Sequence, residues 1–105
     1  MTREVIFAPE ALDDLLQIYT VIALDAGTGR AQAYTDRIAQ HCFDLVTFPK
    51  RGTSRDNLRP DLRTTSYRRR VIIAFHVSAA AVTIDRILYG GRDLAAIFED
   101  TDIPP

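Results

Sequence analysis

The chain has 105 residues and is poor in several residue types, and each shortage excludes a class of protein. Cys42 is the single cysteine, so an internal disulfide is impossible, which suits a reducing compartment. No run approaches the roughly 18 consecutive apolar residues of a membrane span. The first residues also lack the long apolar stretch of a secretory signal. We therefore expect a cytoplasmic protein that does not enter a membrane.

Residues that carry metal or cofactor chemistry are equally scarce. His41 stands beside Cys42, but no third ligand lies nearby at metal-site spacing. Residues 27–29, Gly-Thr-Gly, lack the preceding strand and the lysine of a phosphate-binding loop. Cys42 on a helical stripe is typical of a small core residue, and His76 within an apolar run is typical of a sheet residue. The sequence therefore predicts no metal and no cofactor.

What the chain does have is arginine, concentrated in one segment. Only Lys50 among its 13 basic residues is a lysine. Residues 50–70 carry eight basic residues against Asp56 and Asp61, a net charge of +6, although the whole chain has −1. Arginine binds carboxylates and phosphates through a planar fork of donors. This segment indicates an acidic or phosphate-bearing partner, or else only a solvated face.

The first half of the chain predicts a short strand and two helices. Residues 3–7 alternate and are β-branched, as in a strand. Pro9 suits the first turn of a helix of about 16 residues with a wide apolar face. Residues 25–29 interrupt this helix, and a second one begins near Thr28 and stops near Pro49. Two helices joined by so short a turn form an antiparallel hairpin.

The second half predicts strands that follow an arginine-rich connection. They cover residues 62–67, 69–78 and 81–90, and the last two form a β-hairpin. Residues 94–105 predict a short terminal helix and a tail. The order β-α-α-β-β-β, with this terminal helix, indicates one α+β domain over residues 1–105. Its small, largely antiparallel sheet packs on the N-terminal helical hairpin.

Alternation within the last strand assigns its side chains to two faces. One face is expected to carry Val82, Ile84, Arg86 and Leu88, and the other Thr83, Asp85, Ile87 and Tyr89. Arg86, beside Asp85, is expected to take part in simple cross-strand pairing.

Several blocks of the sequence, taken together, resemble one family. Residues 5–22, VIFAPEALDDLLQIYTVI, are similar to the opening strand and helix of the ParE branch of the RelE/ParE toxins of bacterial toxin–antitoxin systems. The Pro-basic-Gly turn at 49–52 and the closing hairpin with its Arg-Asp end at 70–93 are similar to later parts of the same family. The resemblance covers residues 3–94. Tyr89 departs from the pattern, since many ParE proteins have histidine there.

The resemblance implies a toxin that is neutralised by a cognate ParD-like antitoxin, forms a hetero-oligomer with it, and arrests growth by binding DNA gyrase. It implies no sequence-specific DNA binding by this chain alone. The surface expected to contact the target lies at the end of the last strand, at Tyr89, Arg92 and Asp93.

The first helix is apolar around more than half of its circumference, and a domain with one helical layer cannot cover all of it. An amphipathic antitoxin helix is expected to fill the exposed part. The predicted antitoxin-binding residues combine an apolar stripe with two arginines: Leu12, Leu16, Tyr19, Ala23, Arg63 and Arg70.

Two alternatives stay open at this stage. RelE-type relatives cut mRNA on the ribosome without a metal, and here Tyr89, Arg63 and Arg86 are the candidate catalytic groups. Tyrosine is a poor base or acid at its ordinary pKa of about 10, which favours a binding toxin with no catalytic residue. The other alternative is a degenerate toxin that only binds an antitoxin.

Overall fold

The computed structural model describes residues 3–49, 51–90 and 97–98, and these form two helices and five strands. In chain order they are β1 Glu4–Phe7, α1 Pro9–Ala26, α2 Thr28–Asp44, β2 Thr53–Ser54, β3 Arg63–Tyr67, β4 Val71–Val77 and β5 Ala81–Tyr89. The predicted α+β class is confirmed. Two details were wrong, because α2 ends at Asp44 rather than near Pro49, and the connection contains the two-residue β2. Of the predicted terminal helix, only Ile97 and Phe98 fall within the description, and their backbone is helical.

The five strands form one sheet in the order β1-β5-β4-β3-β2. Neighbouring strands are antiparallel except for β1 and β5, which run parallel with Glu4 opposite Ala81 and Phe7 opposite Ile84. Since β1 ends at Phe7, the outer edge of β5 beyond Ile84 has no strand beside it among the described residues. This bare edge is where α1 is anchored.

A single residue separates the two helices. Gly27 follows Ala26 of α1 and precedes Thr28 of α2, and its N–H donates to the carbonyl of Ala23 at 3.0 Å. Its φ of 94° lies in the region that glycine adopts without a steric penalty. The chain therefore reverses within one residue and lays α2 against α1. Within the described ranges, neither helix combines the length and hydropathy needed to cross a membrane.

Both faces of the sheet are covered, but unequally. The main core fills the space between the helices and the sheet, where Ile18 and Ile38 meet Ile73, Phe75 and other buried side chains. Cys42 belongs to this core, and burial raises the pKa of its thiol to about 12, so the thiol is unreactive at neutral pH. The opposite face carries a small second cluster: Leu62, Ala74 and Phe98, with Leu58 and Ile97 against it.

A bulge in β5 changes which side chains share a face. Ala74 pairs with Arg86 while the next residue, Phe75, pairs with Ile84, so Asp85 is an extra residue in the strand. Ile87 and Tyr89 consequently pack with Val82 and Ile84 on the helical side. The expected strict alternation along β5 was therefore wrong beyond Ile84. The bulge interrupts the two-residue period that the sequence displays.

Candidate functional site

The outer surface of α1 exposes large apolar side chains. Leu12 and Leu16 are 53% and 63% exposed, whereas Tyr19 and Ala23 of the same stripe are partly buried. The most exposed is Leu24, at 85%, which the sequence analysis did not select. Isolated exposed leucines are ordinary on a soluble protein. Several along one helix form a surface suited to an apolar partner.

On its inner side α1 carries a buried ion pair with β5. The Nε and Nη2 groups of Arg86 donate to the two carboxylate oxygens of Asp14 at 2.8 and 3.0 Å. Asp14 is only 4% exposed and also accepts the backbone N–H of Ile87 at 2.8 Å. The hydrogen bond to Asp14 raises the pKa of Arg86 above its usual value. One carboxylate thus satisfies both a guanidinium and a donor on the bare edge of β5.

This geometry corrects the expectation for Arg86. Its partner lies on the helix and is not a cross-strand residue, because the bulge turns the strand at Asp85. The Asp85 carboxylate instead lies 2.8 Å from Nδ1 of His76 on β4. Asp13 and Asp14 both lie near the start of α1, and no sequence signal indicates which of the two is buried.

Tyr89 lies at the far end of β5, half-buried against the main core. It shares a cross-strand row with Val71 and Tyr67. The ring of Tyr34 on α2 meets Tyr89 and Tyr67 edge-to-face, with centroids 6.1 and 6.0 Å apart. Burial, and after it the neighbouring Tyr89, raises the pKa of Tyr34. Tyr89 is therefore part of a packed aromatic group that holds α2 on the sheet.

A shallow cleft of about 140 Å³ joins Tyr89 to α1. Its walls are Asp14, Gln17, Ile18 and Val21 on the helix and Ile87 and Tyr89 on β5. The cleft runs along the edge of β5 that β1 leaves uncovered. Its lining is mainly apolar, and its one carboxylate, that of Asp14, is already paired with Arg86, which suits the side chain of a partner protein better than a reacting phosphate.

The predicted basic residues do not converge on Tyr89. Arg63 stands opposite Phe75, four residues from Tyr67 on β3 and so about 13 Å along the strand from the row of Tyr89. Its Nε donates to the carbonyl of Arg51 at 3.2 Å. Arg86 is bound to Asp14. The structure thus does not assemble the three candidate catalytic groups into one site.

The remaining predicted site residues are separated from one another. Arg70 is exposed at the β3–β4 turn, whereas Arg63 is half-buried at the other end of that hairpin. Arg92 and Asp93 lie outside the described residues. Within the described part of the chain, no cluster of three or more His, Cys, Asp or Glu side chains is placed to hold a metal.

Comparison with known proteins defines the class. Residues 5–94 match the family described as the ParE toxin of the type II toxin–antitoxin system parDE. The chain belongs to this family, and it is a ParE-type toxin of a ParDE toxin–antitoxin system.

Two particular proteins show how near the likeness is. Toxin ParE3 of Caulobacter vibrioides is 34% identical over 83 residues, which cover 79% of this chain and 82% of the relative. A solved structure described as a chromosomal ParDE TA system from P. aeruginosa superposes with a TM-score of 0.74. The superposition covers 85% of this chain and 97% of the solved chain. At 22% identity, it shows a similarity of fold.

Proposed function

We propose that this toxin is neutralised by a ParD-like antitoxin and arrests growth by binding DNA gyrase. The observation that carries the first part is the exposure of Leu12 and Leu16 on α1, 53% and 63%, in a helix otherwise anchored on the core. An amphipathic antitoxin helix laid along Leu12, Leu16, Tyr19 and Ala23 would remove this apolar surface from water. Each fully buried leucine contributes roughly 1.5–3 kcal/mol to such an interface.

Binding rather than catalysis is supported by the position of Tyr89. Its ring packs on Tyr34, and neither Arg63 nor Arg86 lies in its cross-strand row. Metal-independent RNA cleavage needs a base, an acid and cations around one phosphate. The cleft beside Tyr89 instead offers apolar walls to a protein target. Arg92 and Asp93 follow Tyr89 in the chain and complete the proposed target surface.

The antitoxin surface is tested by co-expression. The toxin with both Leu12→Glu and Leu16→Glu should escape neutralisation and fail to co-purify with the product of the adjacent small gene, because two carboxylates would be buried in the interface. Leu24→Glu is the matched control, since Leu24 is exposed on the same helix outside the stripe. Neutralisation of the double variant as complete as that of the parent would contradict the assignment.

The target is tested by inducing the toxin alone. Inhibition of supercoiling by purified gyrase, together with DNA breaks in the host, supports the proposal. Cleavage of mRNA that is lost in Tyr89→Phe would establish the nuclease alternative instead. A chain that binds its antitoxin yet leaves growth unchanged would be a degenerate module.

A further inference from the structure

The arginines of the basic segment divide into two groups by their contacts. Those of the connection are held by the body of the protein. The Arg51 and Arg63 guanidinium groups donate to backbone carbonyls, Arg55 donates to Thr64 Oγ1, and Arg59 lies 4.8 Å from the ring centroid of Phe98. Their charge is therefore used to hold an irregular stretch of backbone on the sheet.

The second group forms the tip of the β3–β4 hairpin, Arg68–Arg70, which we call the arginine tip. All three residues are exposed. Among the residues that the structure describes, none of their guanidinium groups has a carboxylate or carbonyl partner. The Arg68 group lies 5.6 Å from the ring centroid of Tyr67, and that ring packs on Tyr34. Arg68 thus lies on a packed aromatic ring, and the exposed Arg69 and Arg70 follow it in the turn.

The backbone of the arginine tip is unfavourable for arginine. The N–H of Arg70 donates to the carbonyl of Tyr67 at 3.3 Å, and the two residues between them have φ of 52° and 62°. Positive φ at both central positions characterises a type I′ turn, which favours Asn-Gly. Residues with a Cβ, other than Asn and Asp, are strained there. The chain has Arg68 and Arg69 at these positions, and such strain is concentrated at functional sites.

We infer that the arginine tip binds the phosphodiester backbone of a nucleic-acid duplex. Guanidinium forks match phosphate oxygens in pairs, and three successive side chains on a fixed turn reach adjacent phosphates. Within the described part of the chain, the exposed neighbours are Ser66 and Gly90, which offer no apolar surface to a peptide. Among the residues that the structure describes, no element beside the tip is shaped to enter a groove, so we expect the contact to read no base sequence. An acidic protein segment is the competing partner, and its binding is an outcome of the test.

The test titrates the full chain with two labelled duplex DNAs of unrelated sequence and one duplex RNA, from about 20 mM salt upwards. The variant Arg68→Asn with Arg69→Gly gives the turn its preferred residues while removing two cations. The control, Arg30→Gln with Arg37→Gln, removes the same charge from exposed positions on α2. Tm of each protein is measured alongside.

The parent should bind both DNA sequences equally, and the magnitude of its log–log salt slope should be about 2.7 for three phosphates. The affinity of the tip variant should fall about tenfold, and the magnitude of its salt slope should fall by about 1.8, because two phosphate contacts are lost. Its Tm should be unchanged or higher. The control should stay within about twofold of the parent. A stronger loss with RNA than with DNA, or the reverse, identifies which duplex is preferred.

Three results would overturn the inference. DNA binding by the tip variant equal to that of the parent would make the turn a solvated loop. An equal loss of affinity in the control would show a general effect of charge. Binding of polyglutamate that falls in the tip variant, with DNA binding unaffected, would assign the tip to an acidic protein partner. These outcomes are independent of the gyrase assay, because no gyrase is present.

Discussion

Arg86 and the arginine tip show two opposite uses of the same side chain. Arg86 meets both oxygens of a buried carboxylate, and its strand is bulged at the preceding residue. Arg68–Arg70 are exposed on a strained turn and have no carboxylate partner among the described residues. The net charge of a basic segment therefore does not indicate by itself whether its arginines stabilise the fold or bind a partner. Where a guanidinium is paired and desolvated, loss of its partner destabilises the fold, whereas an exposed guanidinium without a carboxylate partner is available for binding.

Removal of Asp14 should give the largest change in stability. Asp14→Ala leaves Arg86 and the N–H of Ile87 without their acceptor, and we expect a loss of roughly 3 kcal/mol in the free energy of unfolding. Denaturant titration measures this loss. Asp13→Ala is the matched control, because Asp13 is the exposed neighbour on the same helix, and it should change stability by less than about 0.5 kcal/mol. Equal effects in the two variants would show that the ion pair does not anchor α1.

A smaller difference should separate Arg63 from Arg70. Arg63→Ala removes hydrogen bonds to the carbonyls of Arg51 and Gly52, so it should cost about 1 kcal/mol. Arg70→Ala removes only an exposed side chain and should stay within about 0.5 kcal/mol of the parent. Thermal unfolding of the two variants side by side measures the difference. A larger loss of unfolding free energy in Arg70→Ala than in Arg63→Ala would contradict the assignment of Arg63, rather than Arg70, to the structural group.

The smallest expected effect is a dependence of stability on pH through His41. Burial, and after it the nearby Arg51, lowers the pKa of His41 from its usual 6.5, while Asp44 opposes this. Below about pH 6.5 the unfolded chain therefore binds more protons than the folded chain, so stability falls as the pH drops through the lower folded pKa. In His41→Gln the contribution of this imidazole to the slope of unfolding free energy against pH should vanish.

Arg51→Gln should reduce the same slope, whereas Arg55→Gln should not. Unfolding free energies measured between about pH 7 and 5 distinguish the three variants. An unchanged slope in His41→Gln would contradict the role assigned to this imidazole.

Much of the fold follows from local signals in the sequence. Pro9 and Gly27 delimit α1, and the β-branched run from Val71 to Val77 forms the predicted strand. β2 was not predicted, because Thr53 and Ser54 are both polar and two residues are too few to show an alternating pattern. The bulge at Asp85 was missed because the flanking residues still alternate between apolar and polar. Only the pairing with β4 shows where one residue is extra.

The candidate surfaces were predictable in part. The exposure of Leu12 and Leu16 followed from the number of apolar residues on α1 against the area that one sheet can cover. The buried partner of Arg86 did not follow, since Asp13 and Asp14 are chemically equal and 72 residues of sequence separate Asp14 from the arginine. That Arg68–Arg70 have no carboxylate or carbonyl partner among the described residues needed the structure as well, because a run of arginines has the same composition whether paired or not.

The parallel pairing of β1 with β5 has a consequence for the making of this protein. β1 can pair only after β5 has been synthesised. Next to β1, the side chain of Arg3 donates a hydrogen bond to the carbonyl of Ser78, 75 residues away. Asp14 likewise accepts its hydrogen bonds from Arg86 and Ile87, more than 70 residues further along the chain. A chain still emerging from the ribosome lacks these contacts, and such long-range closure is slow. A chain that has not yet reached β5 therefore cannot close its sheet, and its α1 lacks the anchor that Arg86 and Ile87 provide.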